Sequence, residues 1–184
     1  MQRSRWILGA LVLSVATAFG QGTILWDEGV NGPLSNGGGG QTPLGSLQVG
    51  TNSVLGASEF IPDGIYGDYF TFTVATNNAI AGLRLSANRP VAVWFGSADF
   101  STEYGYVIRP ANGDILPQLG LAAINPGAYG AYIKSYDFDS GPSTANYRLD
   151  FVAQAVPEPA SVWLLLGGLG WLGFRGWRNA RLKV

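Results

Sequence analysis

An uncharged apolar run of fifteen residues, Ala160 to Phe174, divides this chain into a part that must leave water and a part that must fold in it. As a helix the run spans roughly 22 Å, against about 30 Å of bilayer hydrocarbon. A helix packed in a soluble core would carry a polar face, and here Ser161 alone is polar. Arg175 can snorkel, and Trp163, Trp171 and Trp177 are of the type that settles at headgroup level, so the effective span lengthens at both ends. The expectation is a single transmembrane helix over 160–174. Gly167, Gly170, Gly173 and Gly176 recur at every third position and make one side of it small. Such a side receives a partner helix or unwinds readily for a protease.

The run is framed by Pro157-Glu158-Pro159 before it and by Arg175, Arg178, Arg181 and Lys183 after it. Two prolines fix their own φ and hold the residues before them extended, which makes a stiff, protease-accessible spacer. Val156-Pro157-Glu158-Pro159-Ala160, the apolar helix and the basic tail, in that order at the C-terminus, resemble the PEP-CTERM sorting signal of Gram-negative bacteria. The resemblance implies recognition by an exosortase-type membrane transpeptidase, cleavage near the motif, and release or re-attachment of the remaining chain outside the cell.

The front of the chain reads as a second address. Arg3 and Arg5 precede an apolar run from Trp6 to Ala16, and small residues follow, the pattern of a secretory signal peptide over residues 1–20. Ala16 and Ala18 form one A-x-A site, and Ala18 with Gly20 forms another, so cleavage is expected after Ala18 or Gly20. With basic residues at both ends, the positive-inside rule keeps the ends in the cytoplasm and puts the middle outside it.

That middle, residues 21–156, carries eleven acids against five bases (Arg84, Arg89, Arg109, Lys134 and Arg148), a net charge of −6. Neutralising a phosphate backbone needs clustered Lys and Arg, so nucleic acid is excluded as a partner. The chain has neither cysteine nor histidine. Ser-His-Asp and Cys-His nucleophile systems are therefore excluded, as are the usual zinc, copper and haem ligand sets. Without disulfides the exported domain must hold itself together by burying a core.

Residues 21–62 are rich in Gly, Pro and Asn, with one candidate strand at Thr23 to Trp26. Gly37 to Gly40 do not make a phosphate loop, since no Lys-Ser/Thr follows and no helical pattern opens after them. They read as a surface loop. From Asp63 the text becomes strand-like. In Asp68 to Val74, Phe70, Phe72 and Val74 alternate with Tyr69, Thr71 and Thr73, the period of a half-buried strand. Further strands are expected at Gly82 to Ala87, Val91 to Gly96, Glu103 to Arg109, Tyr129 to Ser135 and Asn146 to Ala153, with one helical turn near Gln118 to Ile124. Asn-, Gly- and Pro-rich turns separate them. The fold class is all-β, an antiparallel, jelly-roll-like β-sandwich over 63–153. Asp68-Tyr-Phe-Thr-Phe-Thr-Val, Leu83-Arg-Leu, Asn125-Pro-Gly-Ala-Tyr-Gly-Ala-Tyr-Ile and Asn146-Tyr-Arg-Leu-Asp-Phe-Val are similar in order and kind to the bacterial pre-peptidase C-terminal domain. That resemblance implies a secreted β-sandwich.

Two enzyme chemistries survive the missing histidine. A Ser-Lys dyad would have to use Lys134, and nothing marks its serine. A carboxylate pair for sugar hydrolysis would come from Asp99, Glu103, Asp137 and Asp139. Acids in Gly- and Pro-rich loops are mostly solvated, and the chain is expected not to be an enzyme and to need no cofactor. Asp137-Phe-Asp139-Ser-Gly141 offers alternate carboxylates to Ca²⁺, but the EF-hand pattern fails: Gly141 comes one place early and Arg148 stands where the bidentate acid belongs. A polar hairpin loop is the expectation there, with calcium the alternative. Trp94, Tyr104 and Tyr106, with Tyr129, Tyr132 and Tyr136, could offer flat faces to an extracellular polysaccharide, yet strands carry aromatics for their own packing. Core and cross-strand packing is expected of them. The reading is an exported, membrane-tethered cell-surface or matrix protein with a structural or adhesive body. The alternatives are a polysaccharide-binding module and a carboxylate-based secreted hydrolase.

Overall fold

A computed structural model of the chain describes residues 22–37, 40–60, 66–108, 110, 112–136, 143–156, 167, 168 and 171. These residues form ten strands in two five-stranded sheets. The first half of the order is β1 Thr23–Asp27, the single-turn helix α1 Glu28–Asn31, β2 Thr42–Ser46, β3 Gly50–Phe60, β4 Asp68–Val74 and β5 Asn78–Ala87. The second is β6 Val91–Ser97, β7 Glu103–Ile108, β8 Gly113–Asp114, β9 Gly127–Ser135 and β10 Ser143–Ala155. Sheet A runs β1-β3-β10-β5-β8, and sheet B runs β2-β4-β9-β6-β7.

The antiparallel pairing from β3 onward is nested: β3 with β10, β4 with β9, β5 with β8, β6 with β7. A long hairpin rolled up on itself gives this order, which is the jelly-roll arrangement. Two further pairings, β5 with β10 and β6 with β9, join the rolled hairpins into sheets. β1 and β2 are additions, each lying parallel on an edge, against β3 and β4 respectively.

Alternation explains which sides close on each other. Phe70, Phe72 and Val74 of β4, Val91, Val93 and Phe95 of β6, and Ala131 and Ile133 of β9 face Leu83 and Leu85 of β5 and Leu149, Phe151 and Ala153 of β10. The Phe72 and Phe151 rings meet across the two sheets at 4.6 Å between centroids. Burying side chains of this size yields about 1.5–3 kcal/mol each, which is how a domain without disulfides holds together.

The structure corrects the expected boundary at residue 63. Both β2 and the eleven-residue β3 lie in the stretch read as a leading segment, and β3 pairs with β10 from Gly50 through Phe60. Its inward positions explain the miss, because Asn52, Gly56 and Ser58 interrupt the apolar alternation around Val54. The buried polar pair is satisfied by backbone: Asn52 Nδ2 donates to the Gln48 carbonyl at 2.7 Å, and Ser58 Oγ accepts from Ser135 N at 3.0 Å. The two-residue β8 starts at Gly113, and where one helical turn is expected over Gln118 to Ile124 the chain makes hydrogen-bonded turns over residues 116–120, with Ile124 bridging to Ile80.

Residues 1–20 with the cleavage positions Ala18 and Gly20, Pro157 to Ala160, the basic tail, and Asp137 and Asp139 lie outside the described residues. Of the expected transmembrane helix, Gly167, Gly168 and Trp171 are described, and they are helical. Among the described residues no helix is long and apolar enough to cross a membrane.

Candidate functional site

Sheet B carries an aromatic row on its outer face. Tyr69 of β4 stands opposite Tyr132 of β9, Tyr132 opposite Trp94 of β6, and Trp94 opposite Tyr106 of β7. Period-two alternation puts all four outside, because their neighbours Phe70, Ala131, Val93 and Phe95 are core. The rings use one another as partners. Trp94 lies 5.6 Å from Tyr132 and 4.9 Å from Phe100, within 12° of parallel to both, and Tyr69 closes the group at 4.9 Å from Tyr132 and 5.6 Å from Phe100. Trp94 is thereby left only 7% exposed on a nominally solvent-facing side, while Tyr106, at the row's end, is 40% exposed.

Phe100 reaches this group from the β6–β7 loop through a left-handed backbone, φ 58°, which for an aromatic residue is strained. The loop is tied to Asp99, which accepts from Ser97 Oγ at 2.5 Å and from Ser101 N at 3.1 Å. Those donors hold the Asp99 carboxyl down to about 2. Opposite one another beneath the rings lie Gly96 and Gly130. A Cβ on Gly96 would meet Trp94 at 2.4 Å, and one on Gly130 would meet Phe100 at 2.7 Å. Burial within the row pushes Tyr132 up to about 12, helped by Tyr106 and Tyr69, and raises Tyr69 and Tyr106 as well.

Of the three aromatics singled out in the sequence, Trp94 and Tyr106 thus share one face and Tyr104 does not. The β6–β7 register shifts between Phe95 and Gly96, and Tyr104, the extra residue, packs near Phe95 and Tyr129 instead. Of the acids singled out, Asp99 is engaged by its own loop, and Glu103 stands opposite Gly96 at the start of the edge strand β7.

A second feature has no clear sequence signal. Between α1, the end of β3 and the start of β4 lies a cleft of about 430 Å³ lined by Glu28, Glu59 and Asp68, with Tyr66, Ser35 and Asn36 among its other walls. Glu28 accepts from Leu34 N and from Ala57 N, each at 2.6 Å, so its charge is fixed in place. Asp68 is 7% exposed, and its hydrogen-bonding neighbour is the buried Tyr147 phenol. Burial, with Glu28 and Glu59 adding to it and the Tyr147 phenol opposing, pushes this carboxyl up to about 7. The sequence shows Asp68 only as the first residue of an alternating strand. What makes it unusual is that it occupies an inward position of the same register as Phe70 and Phe72. Among the described residues no three acids converge as a metal-ion ligand set.

Residues 155–181 match the family model of the PEP-CTERM protein-sorting motif. That motif implies an exported protein, anchored at a membrane and processed there by an exosortase, a membrane enzyme. Among solved structures the chain is similar to the pre-peptidase C-terminal domain of a collagenase from Bacillus anthracis, at 19% identity and a TM-score of 0.37, over 61% of this chain and 93% of that one. No curated protein matches.

Proposed function

We propose that this chain is led out by residues 1–20, held in the inner membrane by residues 160–174 and cut near Pro157-Glu158-Pro159 by an exosortase-type transpeptidase. Its sandwich is then a structural or adhesive body at the cell surface or in the extracellular matrix, with no catalytic role. The observation that carries this reading is the place of the sorting motif. β10 ends at Ala155, Val156 N still donates to the Asn77 carbonyl at 2.7 Å, and the matched motif begins at residue 155. No linker separates the body from the address. β10 is the middle strand of sheet A, paired on both sides. A load applied at the C-terminal attachment therefore enters the sheet through its best-held strand, which suits a protein that must stay joined to a surface.

The aromatic row supports this reading over a polysaccharide-binding module. A sugar stacks on a free ring face, and Trp94 has given its faces to Phe100 and Tyr132. Tyr106 alone of the row is well exposed. Glycan-array binding abolished by Tyr106→Ala would move the assignment to a polysaccharide module.

The sorting reading is tested in cells with Glu158→Gln and with removal of residues 175–184. Full-length protein is expected to accumulate in the inner membrane, and mass spectrometry of the wild-type mature C-terminus is expected to place the cut near Pro157. Wild-type processing of both variants would sink it.

A further inference from the structure

We propose that the free edge of β7 is a self-association site, where a second copy of this chain adds its own β7 antiparallel and extends sheet B. The edges of the two sheets are β1 and β8 on sheet A and β2 and β7 on sheet B. Short length, proline and bulges are devices that keep such edges from pairing with other chains, and three of the four carry them. β8 is two residues long, β2 holds Pro43 and a register shift between Pro43 and Ser46, and β1 has a shift between Ile24 and Trp26 and runs straight into α1. Along Gly105 to Ile108, β7 has none of them. Its irregularity lies at its start, it contains no Lys, Arg or Pro, and among the described residues it pairs with β6 alone.

The side chains of β7 say what lies against it. Of the nine exposed large hydrophobic residues among the described ones, Tyr104, Tyr106 and Ile108 stand on this one strand. An open backbone edge takes an extended strand, and this edge is complementary to itself. With Val107 opposite Val107 on a two-fold axis, Tyr106 of each copy stands against Ile108 of the other. Both belong to the outer face of sheet B, because their β6 partners Trp94 and Ala92 alternate with the core residues Val93 and Phe95. An aromatic ring against a β-branched side chain is a favourable cross-strand pair. Centring on Tyr106 would instead set Ile108 against Tyr104, whose ring packs near Phe95 and Tyr129. Charge selects the direction. Glu103, at the start, is the strand's one charge, so antiparallel copies keep their glutamates at opposite ends while parallel copies would stack them.

Such an axis stands perpendicular to the sheet, so every strand of one copy runs against its counterpart in the other. β10 ends at Ala155, where the sorting motif begins. The two attachments therefore leave the pair on opposite sides, and the contact joins two facing surfaces rather than two neighbours on one. Only this orientation rests on the proposed sorting and adhesive role; the β7 contact does not. One edge strand makes a small interface, with a dissociation constant on the order of 100 µM, and many copies on facing surfaces multiply its strength.

The chain has no cysteine, so a single one placed on the axis reports the contact directly. In the full chain in detergent, Val107→Cys is expected to form a disulfide-linked dimer under mild oxidation, and Ile24→Cys on the β1 edge is not. Sedimentation equilibrium should show a concentration-dependent dimer that Tyr106→Lys and Ile108→Lys each weaken about tenfold or more, while Ile24→Lys leaves it unchanged. All three side chains are exposed, so these variants should fold. Vesicles carrying the full chain should cluster, and vesicles carrying Ile108→Lys should not. A chain that stays monomeric well above the expected dissociation constant, a dimer indifferent to both β7 lysines, or cross-linking of Ile24→Cys as fast as of Val107→Cys would each overturn the assignment. A dimer with the expected variant pattern but no clustering would uphold the β7 contact and count against the adhesive role instead.

Discussion

Gly130 lies under the ring of Phe100, where a Cβ would stand 2.7 Å from it and 2.9 Å from the Ser97 carbonyl. A glycine in a central strand gives up side-chain packing, and here that loss is what lets a strained loop residue close over Trp94. Gly130→Ala is expected to cost about 1–3 kcal/mol in urea unfolding, since the added methyl forces the ring or the loop to move. In a Phe100→Ala background the cost should drop by about 1 kcal/mol, because only the backbone clash remains. Equal costs in the two backgrounds would show that Gly130 is not reserved for that ring.

The sequence made some of this readable and hid the rest for definite reasons. β4 was plain because Phe70, Phe72 and Val74 alternate with smaller or polar residues, and its observed limits, Asp68–Val74, are those expected. β3 was hidden because a sandwich core tolerates Asn52 and Ser58 once backbone groups satisfy them, a pairing that exists only after β9 and the 48–50 turn are in place. The aromatic row was half visible. Trp94 and Tyr106 could be named as residues, but their common face depends on register, and a shift of one at Tyr104 sends that ring elsewhere. The acidic cleft gave no signal, because Glu28, Glu59 and Asp68 stand on three different elements and meet only through the fold.

Tyr132 should titrate late, as should the buried Tyr147. The Tyr132 phenol is pushed up to about 12, chiefly by burial and then by Tyr106 and Tyr69, so absorbance near 295 nm should show a late component that Tyr132→Phe reduces by one tyrosine and does not abolish. The sign for stability follows. A phenol whose folded value lies above its unfolded value of about 10 stabilises fully below pH 10, and that contribution is lost as pH rises from there toward 12. The wild type should therefore lose more stability than Tyr132→Phe over this interval. A single tyrosinate step at ordinary pH would show the row to be open to water.

Asp68 makes the opposite end of the pH scale informative. Its carboxyl is raised to about 7, largely by burial and then by Glu28, so the folded state holds a proton that the unfolded chain releases near pH 4. The stabilisation from that proton is fully present below the unfolded value and is lost as pH rises through about 7. At pH 8 the wild type carries a buried carboxylate beside the acids Glu28 and Glu59, and Asp68→Asn should be more stable by a few kcal/mol. The difference should shrink toward zero at pH 4.5. Urea midpoints of the two proteins at both pH values decide it, and a pH-independent difference would place the Asp68 carboxylate in water.

The end of the folded body can be located by shortening the chain from the C-terminus. The last sheet bond described is Val156 N to the Asn77 carbonyl, and Ala153 is the last buried side chain of β10. A chain stopped after Val156 should therefore unfold at the same temperature as the full chain, because it keeps every sheet bond and buried side chain of the described residues. Stopping after Phe151 removes Val152 to Ala155, with their pairing to β5 along Asn78 to Gly82 and the Ala153 contact in the core. Each lost backbone hydrogen bond contributes about 1 kcal/mol, and the freed partners on β5 stay half-buried, so this shorter chain should be destabilised by several kcal/mol. Circular dichroism melts of the two truncations give the answer. If the chain ending at Val156 melts as early as the shorter one, the residues of the sorting segment are part of the fold, and the body is not separable from its address.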